Sequence, residues 1–212
     1  SHKNESLEDD KWGCNCLRFR DKNGKPFPEW EEKSLGEVLR ERKEYSLKGN
    51  GFSHISLTTK GVVPKSKRYH RDFLVKDDAK KKYKVTHIGD ICYNPANLKF
   101  GVIAVNNYGE GIFSPIYVTF ELVNGDPNYF GYFLTRWDFI NQVRKFEEGT
   151  VYERMAVNPE DFLSFKVRIP SLPEQQKIAD FLTSLDDTIS AKSEEITHAE
   201  EWKKGLMQKM FV

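Results

Sequence analysis

The chain has 212 residues, a hydrophobic fraction of 38%, a charged fraction of 31% and a formal net charge of +1. That length buries one core with room for an appendage, and the low apolar fraction implies that part of the chain is bathed in solvent. No run reaches the roughly 18 apolar residues of a membrane span, and three cysteines (Cys14, Cys16, Cys92) with no apolar leader argue against a disulfide framework and for a reducing, cytoplasmic setting.

Residues 1–29 are polar, and "DKNGKPFPEW" is punctuated by Gly24, Pro26 and Pro28, so this part is expected to be an N-terminal arm or tag. "WEEKSLGEVLRERKEY" (30–45) places Leu35, Val38 and Leu39 on one face of a short helix or turn. "FSHISLTT" (52–59) alternates apolar and polar side chains, the pattern of a half-buried strand. Three more strands are expected at 85–94, 101–107 and 112–122, joined by turns at Pro95-Ala96-Asn97 and Gly109-Glu110-Gly111. Asp126 and Pro127 then open a helix as N-cap and first residue. Its stripe of Phe130, Phe133, Leu134, Trp137, Ile140, Val143 and Phe146 reads as core, and it ends near Gly149. Asn158-Pro159-Glu160 caps a further short helix, and "FKVRIP" (165–170) is a brief strand.

The last element is the most informative. Ser171 and Glu174 have the spacing of a capping box and Pro173 sits in the first turn, so a helix starts here. From Ile178 the positions 178, 182, 185, 189, 192, 196, 199, 203, 206 and 210 alternate in steps of four and three, and only Lys192 and Lys203 among them are polar. A period of 3.5 residues held this long is a coiled-coil seam. At about 1.5 Å per residue the helix extends about 54 Å, more than the roughly 35 Å across a compact domain of this size. The seam residues Ile178, Leu182, Leu185, Ile189, Ile196, Leu206 and Met210 are therefore expected to meet a helix of another chain; the competing expectation is a helix folded back on its own domain.

Charge is unevenly placed. Between Lys60 and Lys84 ten Lys or Arg face three acids, a balance of +7, whereas between Glu174 and Lys204 eight acids face four bases. The basic stretch carries Lys60, Lys65, Lys67, Arg68, Tyr69, His70, Arg71, Lys80, Lys81, Lys82 and Lys84, cations for phosphate mixed with Arg, Tyr and His suited to base edges. These are the candidate DNA-binding residues; the competing reading is an ordinary solvated charge run. No catalytic constellation emerges. Asn94-Pro95 resembles the Asn/Asp-Pro-Pro-aromatic turn of DNA amino-methyltransferases, yet Ala96 and Asn97 stand where the second Pro and the stacking ring belong. Cys14-x-Cys16 has no second pair at zinc spacing, and no Gly-x-Ser-x-Gly elbow is present. Neither a metal nor a cofactor is expected.

Three stretches together resemble the specificity (S) subunits of type I restriction-modification systems. "LRFRDKNGKPFPEWEEKSLGEV" (17–38) is similar to the family's lead-in. Gly89-Asp90, Tyr93-Asn94, Gly101 and Ser114-Pro115-Ile116-Tyr117 follow its core pattern. "IPSLPEQQKIADFLTSLDDTI" with "KKGLMQKMF" (169–189 and 203–211) resembles its conserved spacer helix. The resemblance implies an α+β chain: a mixed α/β target recognition domain with a central β-sheet at 30–170, then a coiled-coil spacer helix at 171–212. It implies a non-catalytic subunit that reads one half of a bipartite double-stranded DNA site and docks the methyltransferase (M) and restriction (R) subunits, S-adenosylmethionine being used by the former and ATP by the latter. The family carries two recognition domains and two spacer helices, whereas this sequence has one of each, so it is either a half-length subunit, expected to homodimerise through the helix, or a piece of a longer one. The alternatives are a protein-interaction adaptor with a dimerising coiled coil and an enzyme of unrecognised type.

Overall fold

A computed structural model describes residues 18–47, 51–65, 81–146 and 156–211. Its elements in chain order are β1 (Glu31–Ser34), a 3-10 turn (Leu35–Glu37), β2 (Leu39–Glu41), β3 (Tyr45–Leu47), β4 (Ser53–Thr58), β5 (Gly61–Pro64), β6 (Lys82–Thr86) and β7 (Ile91–Tyr93). A second 3-10 turn (Pro95–Phe100), β8 (Ile103–Val105), β9 (Gly111–Phe113), β10 (Val118–Leu122), α1 (Pro127–Thr135), α2 (Trp137–Val143), α3 (Pro159–Ser164), β11 (Lys166–Ile169) and α4 (Leu172–Met210) follow. The fold is α+β. Strands order as β2-β10-β7-β8 in one sheet and β3-β6-β9-β4-β5 in another, and β1 pairs antiparallel with β11.

Local chemistry explains most of the boundaries. Asp126 and Asn158 cap α1 and α3, their side chains accepting from the amides of Tyr129 and Asp161 at 2.9 and 2.8 Å, each with Pro as the next residue. Three of the predicted elements are broken. The strand expected at 85–94 splits into β6 and β7 because Gly89 adopts φ +85° and turns the chain between them. The strand expected at 112–122 splits at Ser114-Pro115, where the amide of Tyr117 donates to the carbonyl of Ser114 at 3.1 Å. The helix expected from 127 to 149 breaks at Arg136, whose ψ of 137° is extended. Trp137, next to the break, and Phe146, in the 3-10 turn that follows α2, are exposed, while Phe130, Phe133, Leu134, Ile140 and Val143 stay buried. The helix or turn expected at 30–45 is a 3-10 turn between strands, with Leu35, Val38 and Leu39 buried as a group.

The main core lies between the four-stranded sheet and the helices. Tyr93, Phe120 and Phe162 stack on one another with centroids 4.9 to 5.7 Å apart. Such pairs add roughly 0.5–1.5 kcal/mol beyond their burial. On the other side of β7, Cys92 is buried with its sulfur 3.2 Å from the Thr86 hydroxyl.

Candidate nucleic-acid interface and helix root

The described part of the basic stretch divides into three places. Lys60 is exposed at the tip of the β4–β5 hairpin, where Gly61 at φ +109° and the Thr58 hydroxyl, accepting from the Lys60 amide at 3.1 Å, close the turn. It borders a groove of about 420 Å³ shared with Asn107, Asn128, Tyr132 and Asp186. Lys65 stands at the opposite end of β5, its amide donating to the His54 carbonyl at 3.1 Å. Lys81 and Lys82 are exposed at the start of β6, the Lys81 ammonium 5.4 Å from the centre of the Tyr83 ring. Lys67, Arg68, Tyr69, His70, Arg71 and Lys80 lie outside the described residues.

Lys84 leaves the candidate set. It is 1% exposed, its ammonium lies 3.3 Å from Glu41 and 4.9 Å from the centre of the Tyr45 ring, and it ties β6 to β2 and β3. A buried lysine needs such partners, and one so held cannot reach a phosphate.

The Gly-Asp and Tyr-Asn pairs are structural. Asp90 is buried and takes both Nε and Nη2 of Arg42, at 2.8 and 3.0 Å, along with the His87 amide at 2.8 Å and the Thr86 hydroxyl at 3.3 Å. Asn106, also buried, donates to the Thr86 hydroxyl and to the carbonyls of His87 and Gly109, and accepts from the amides of Tyr108 and Gly109. The result is a rigid corner. On it the His87 ring bridges Glu44 and Glu110, 2.9 Å from each. The hydrogen bond to Glu44 holds the imidazole above its ordinary value of 6.5, desolvation and Arg42 opposing and Glu110 assisting. The Tyr93 hydroxyl donates to the Val157 carbonyl at 3.0 Å, and burial pushes its pKa up. Asn94 caps the 3-10 turn by accepting from the Ala96 amide at 3.1 Å, so its side chain serves the backbone. Among the described residues no group of three or more His, Cys, Asp or Glu is arranged to hold a metal ion, and no helix is long and apolar enough to cross a membrane.

α4 is 39 residues long, about 58 Å, and its first turns are embedded in the domain. The expected capping box does not form. The Ser171 hydroxyl is buried with no side-chain cap bond, because Glu174 is drawn inward instead. The Glu174 side chain is 0% exposed and accepts from Arg18 Nε and Nη2 at 2.9 and 3.1 Å and from Trp30 Nε1 at 3.1 Å. Gln175 is buried beside it, Nε2 donating to the Pro170 carbonyl at 2.8 Å and Oε1 accepting from the Asp126 amide at 2.9 Å. Two turns further on the Phe19 ring meets Phe181 at 5.5 Å, and at the third turn the Tyr132 hydroxyl donates to Asp186 at 2.6 Å. None of these partners carries a local sequence signal; Arg18 and Glu174 are 156 positions apart. The only hint was a Glu-Gln pair opening an apolar stripe.

Beyond Asp186 the helix leaves the domain. Ile178 packs against the domain's own core, so it is removed from the partner-facing seam, and Leu182 is half-buried. Leu185, Ile189, Ile196, Leu206 and Met210 are exposed, Ile189 and Ile196 at 63% and 60%. Trp202, Met207 and Phe211 add exposed apolar surface off the strict seam at the far end.

The family model of the type I restriction modification DNA specificity domain matches residues 28–201, and the chain belongs to that family. Among solved structures it is similar to a type I restriction-modification S subunit from M. genitalium (12% identity, 84% of this chain and 43% of that one, TM-score 0.54). It is also similar to a chain from a study of complex assembly and conformational transition of the type I R-M system (16% identity, 86% and 45%, TM-score 0.53). A third similar chain is the HsdS subunit from Thermoanaerobacter tengcongensis (17% identity, 77% and 39%, TM-score 0.47). The chain spans less than half the length of each of these structures. No curated protein sequence matches it.

Proposed function

We propose that this chain is a non-catalytic DNA reader: its recognition domain contacts one half of a bipartite duplex site, and α4 joins two such readers and presents a docking surface to methyltransferase and restriction subunits. Supporting this is one observation above the others, the family match that runs unbroken from the domain into the projecting helix. Exposed Leu185, Ile189 and Ile196 favour a second copy as the partner of α4, since an apolar seam of this length is covered in stable coiled coils. The charge balance leans toward an antiparallel pair: Asp180, Asp186 and Asp187 outweigh Lys177 near the root, and Lys203, Lys204 and Lys209 outweigh Glu200 and Glu201 near the far end, so opposed helices bring unlike net charges together. Such a pair is isologous and reads a palindrome with an unread gap.

Duplex binding is the test. Affinity should fall steeply with salt, and changing Lys81 and Lys82 together to Ala should lower the slope of log K against log salt by about 2, close to 1 per lost phosphate contact. Binding to duplex that is absent or insensitive to salt would refute the reading and favour the protein adaptor.

A further inference from the structure

Resting on that reading, the geometry points to Glu174 and Gln175 as positioning residues that fix the exit angle of α4 from the recognition domain. Their bonds go to three different bodies. Glu174 is held by Arg18 of the N-terminal arm and by Trp30 just before β1, whereas Gln175 is held by the amide that opens α1 and by the carbonyl that ends the β11 connection. A helix fixed at one point pivots; one fixed from two neighbouring positions of a single turn, about 100° apart around its axis, to different elements resists pivoting. The backbone at Gly125 is fitted to this joint, since a Cβ there would lie 3.1 Å from Gln175 Oε1 and 2.4 Å from the Phe130 ring. Further along, the Tyr132 to Asp186 hydrogen bond braces the same helix against α1.

Lever arithmetic shows why such a joint is needed. Residues 187–210 project about 36 Å. A swing of about 10° at the root moves the far end by about 6 Å, nearly two base-pair steps of about 3.4 Å. A spacer helix that discriminates one gap length from its neighbours must therefore be held to about 5°. Hydrogen bonds with fixed geometry add directional constraint to the apolar packing at the root. Buried polar pairs are poor sources of net stability, so the joint's use lies in direction.

Distance distributions test the joint without DNA. Spin labels are placed on Lys43→Cys and Gln208→Cys in a chain with Cys14→Ser and Cys16→Ser, diluted in excess unlabelled chain so that only distances within one copy are read. The parent protein should give one narrow distribution. Glu174→Ala and Gln175→Leu should each widen it several-fold, with Glu174→Gln, which keeps an acceptor for Arg18 and Trp30, in between. Should Glu174→Ala fail to fold, Trp30→Phe removes a single donor and should widen the distribution to a lesser extent. Folded variants with the parent's width would overturn the proposal. Selection from a randomised duplex pool then separates the joint from the reading beneath it. The parent should select one gap length, and the variants the same half-site sequence at several gaps. A parent that selects no paired half-sites refutes the reading while the label distances still decide the joint; variants that keep one sharp gap overturn the joint while the reading stands.

Discussion

At its root α4 buries two polar side chains, Glu174 and Gln175, while further along it leaves Leu185, Ile189, Ile196, Trp202 and Met210 exposed. The usual distribution of polar and apolar residues is reversed between the two ends of one helix. Glu174 and Gln175 both find their partners within the chain. The apolar side chains beyond the root stay largely uncovered, and surface of that kind costs free energy until something covers it. The contrast separates a joint, which this chain completes by itself, from an exposed apolar face that the proposed pairing of helices would cover.

The sharpest way to break this contrast is at the exposed end. Ile189→Asp with Ile196→Asp should weaken self-association by more than about 100-fold, read by sedimentation velocity, because two central seam positions become charged. The melting temperature of the domain should stay within about 2 °C, since neither side chain touches it; a large drop would show that the rod supports the globule. At the root the pattern should invert. Arg18→Ala leaves Glu174 buried with Trp30 as its remaining side-chain partner and should cost about 2 kcal/mol, lowering the melting temperature by roughly 5 °C with association little changed. The smallest effect belongs to the rigid corner of the domain. The folded-state pKa of His87 is raised above 6.5, chiefly by its hydrogen bond to Glu44, so the clamp's contribution is complete below pH 6.5 and is lost as pH rises through the folded value. Thermal melts from pH 6 upward should show a decline in stability that His87→Gln flattens.

What could be read from the sequence was whatever depends on neighbours in the chain. Asp126-Pro127 and Asn158-Pro159 mark helix starts because capping is satisfied within three residues, and the 3.5-residue period of α4 needs only the helix itself. Misreadings cluster where a distant partner decides. Glu174 has capping-box spacing but goes to Arg18 and Trp30, and Lys84 sits in a run of cations but is claimed by Glu41 on β2. The split of the 85–94 strand at Gly89 was within reach, because an isolated Gly followed by Asp is a turn signal. The break at Arg136 was not, because nothing in "LTRWDF" is a poor helix former in the way Gly or Pro is.

Cys92 has a practical consequence. Burial pushes its thiol up to about 12, so at neutral pH it stays protonated beneath the sheet surface and out of reach of alkylating reagents. Once Cys14 and Cys16 are replaced, a cysteine introduced anywhere along the outer rod can be addressed by maleimide chemistry alone, with the native sulfur left in place and the packing around β7 undisturbed.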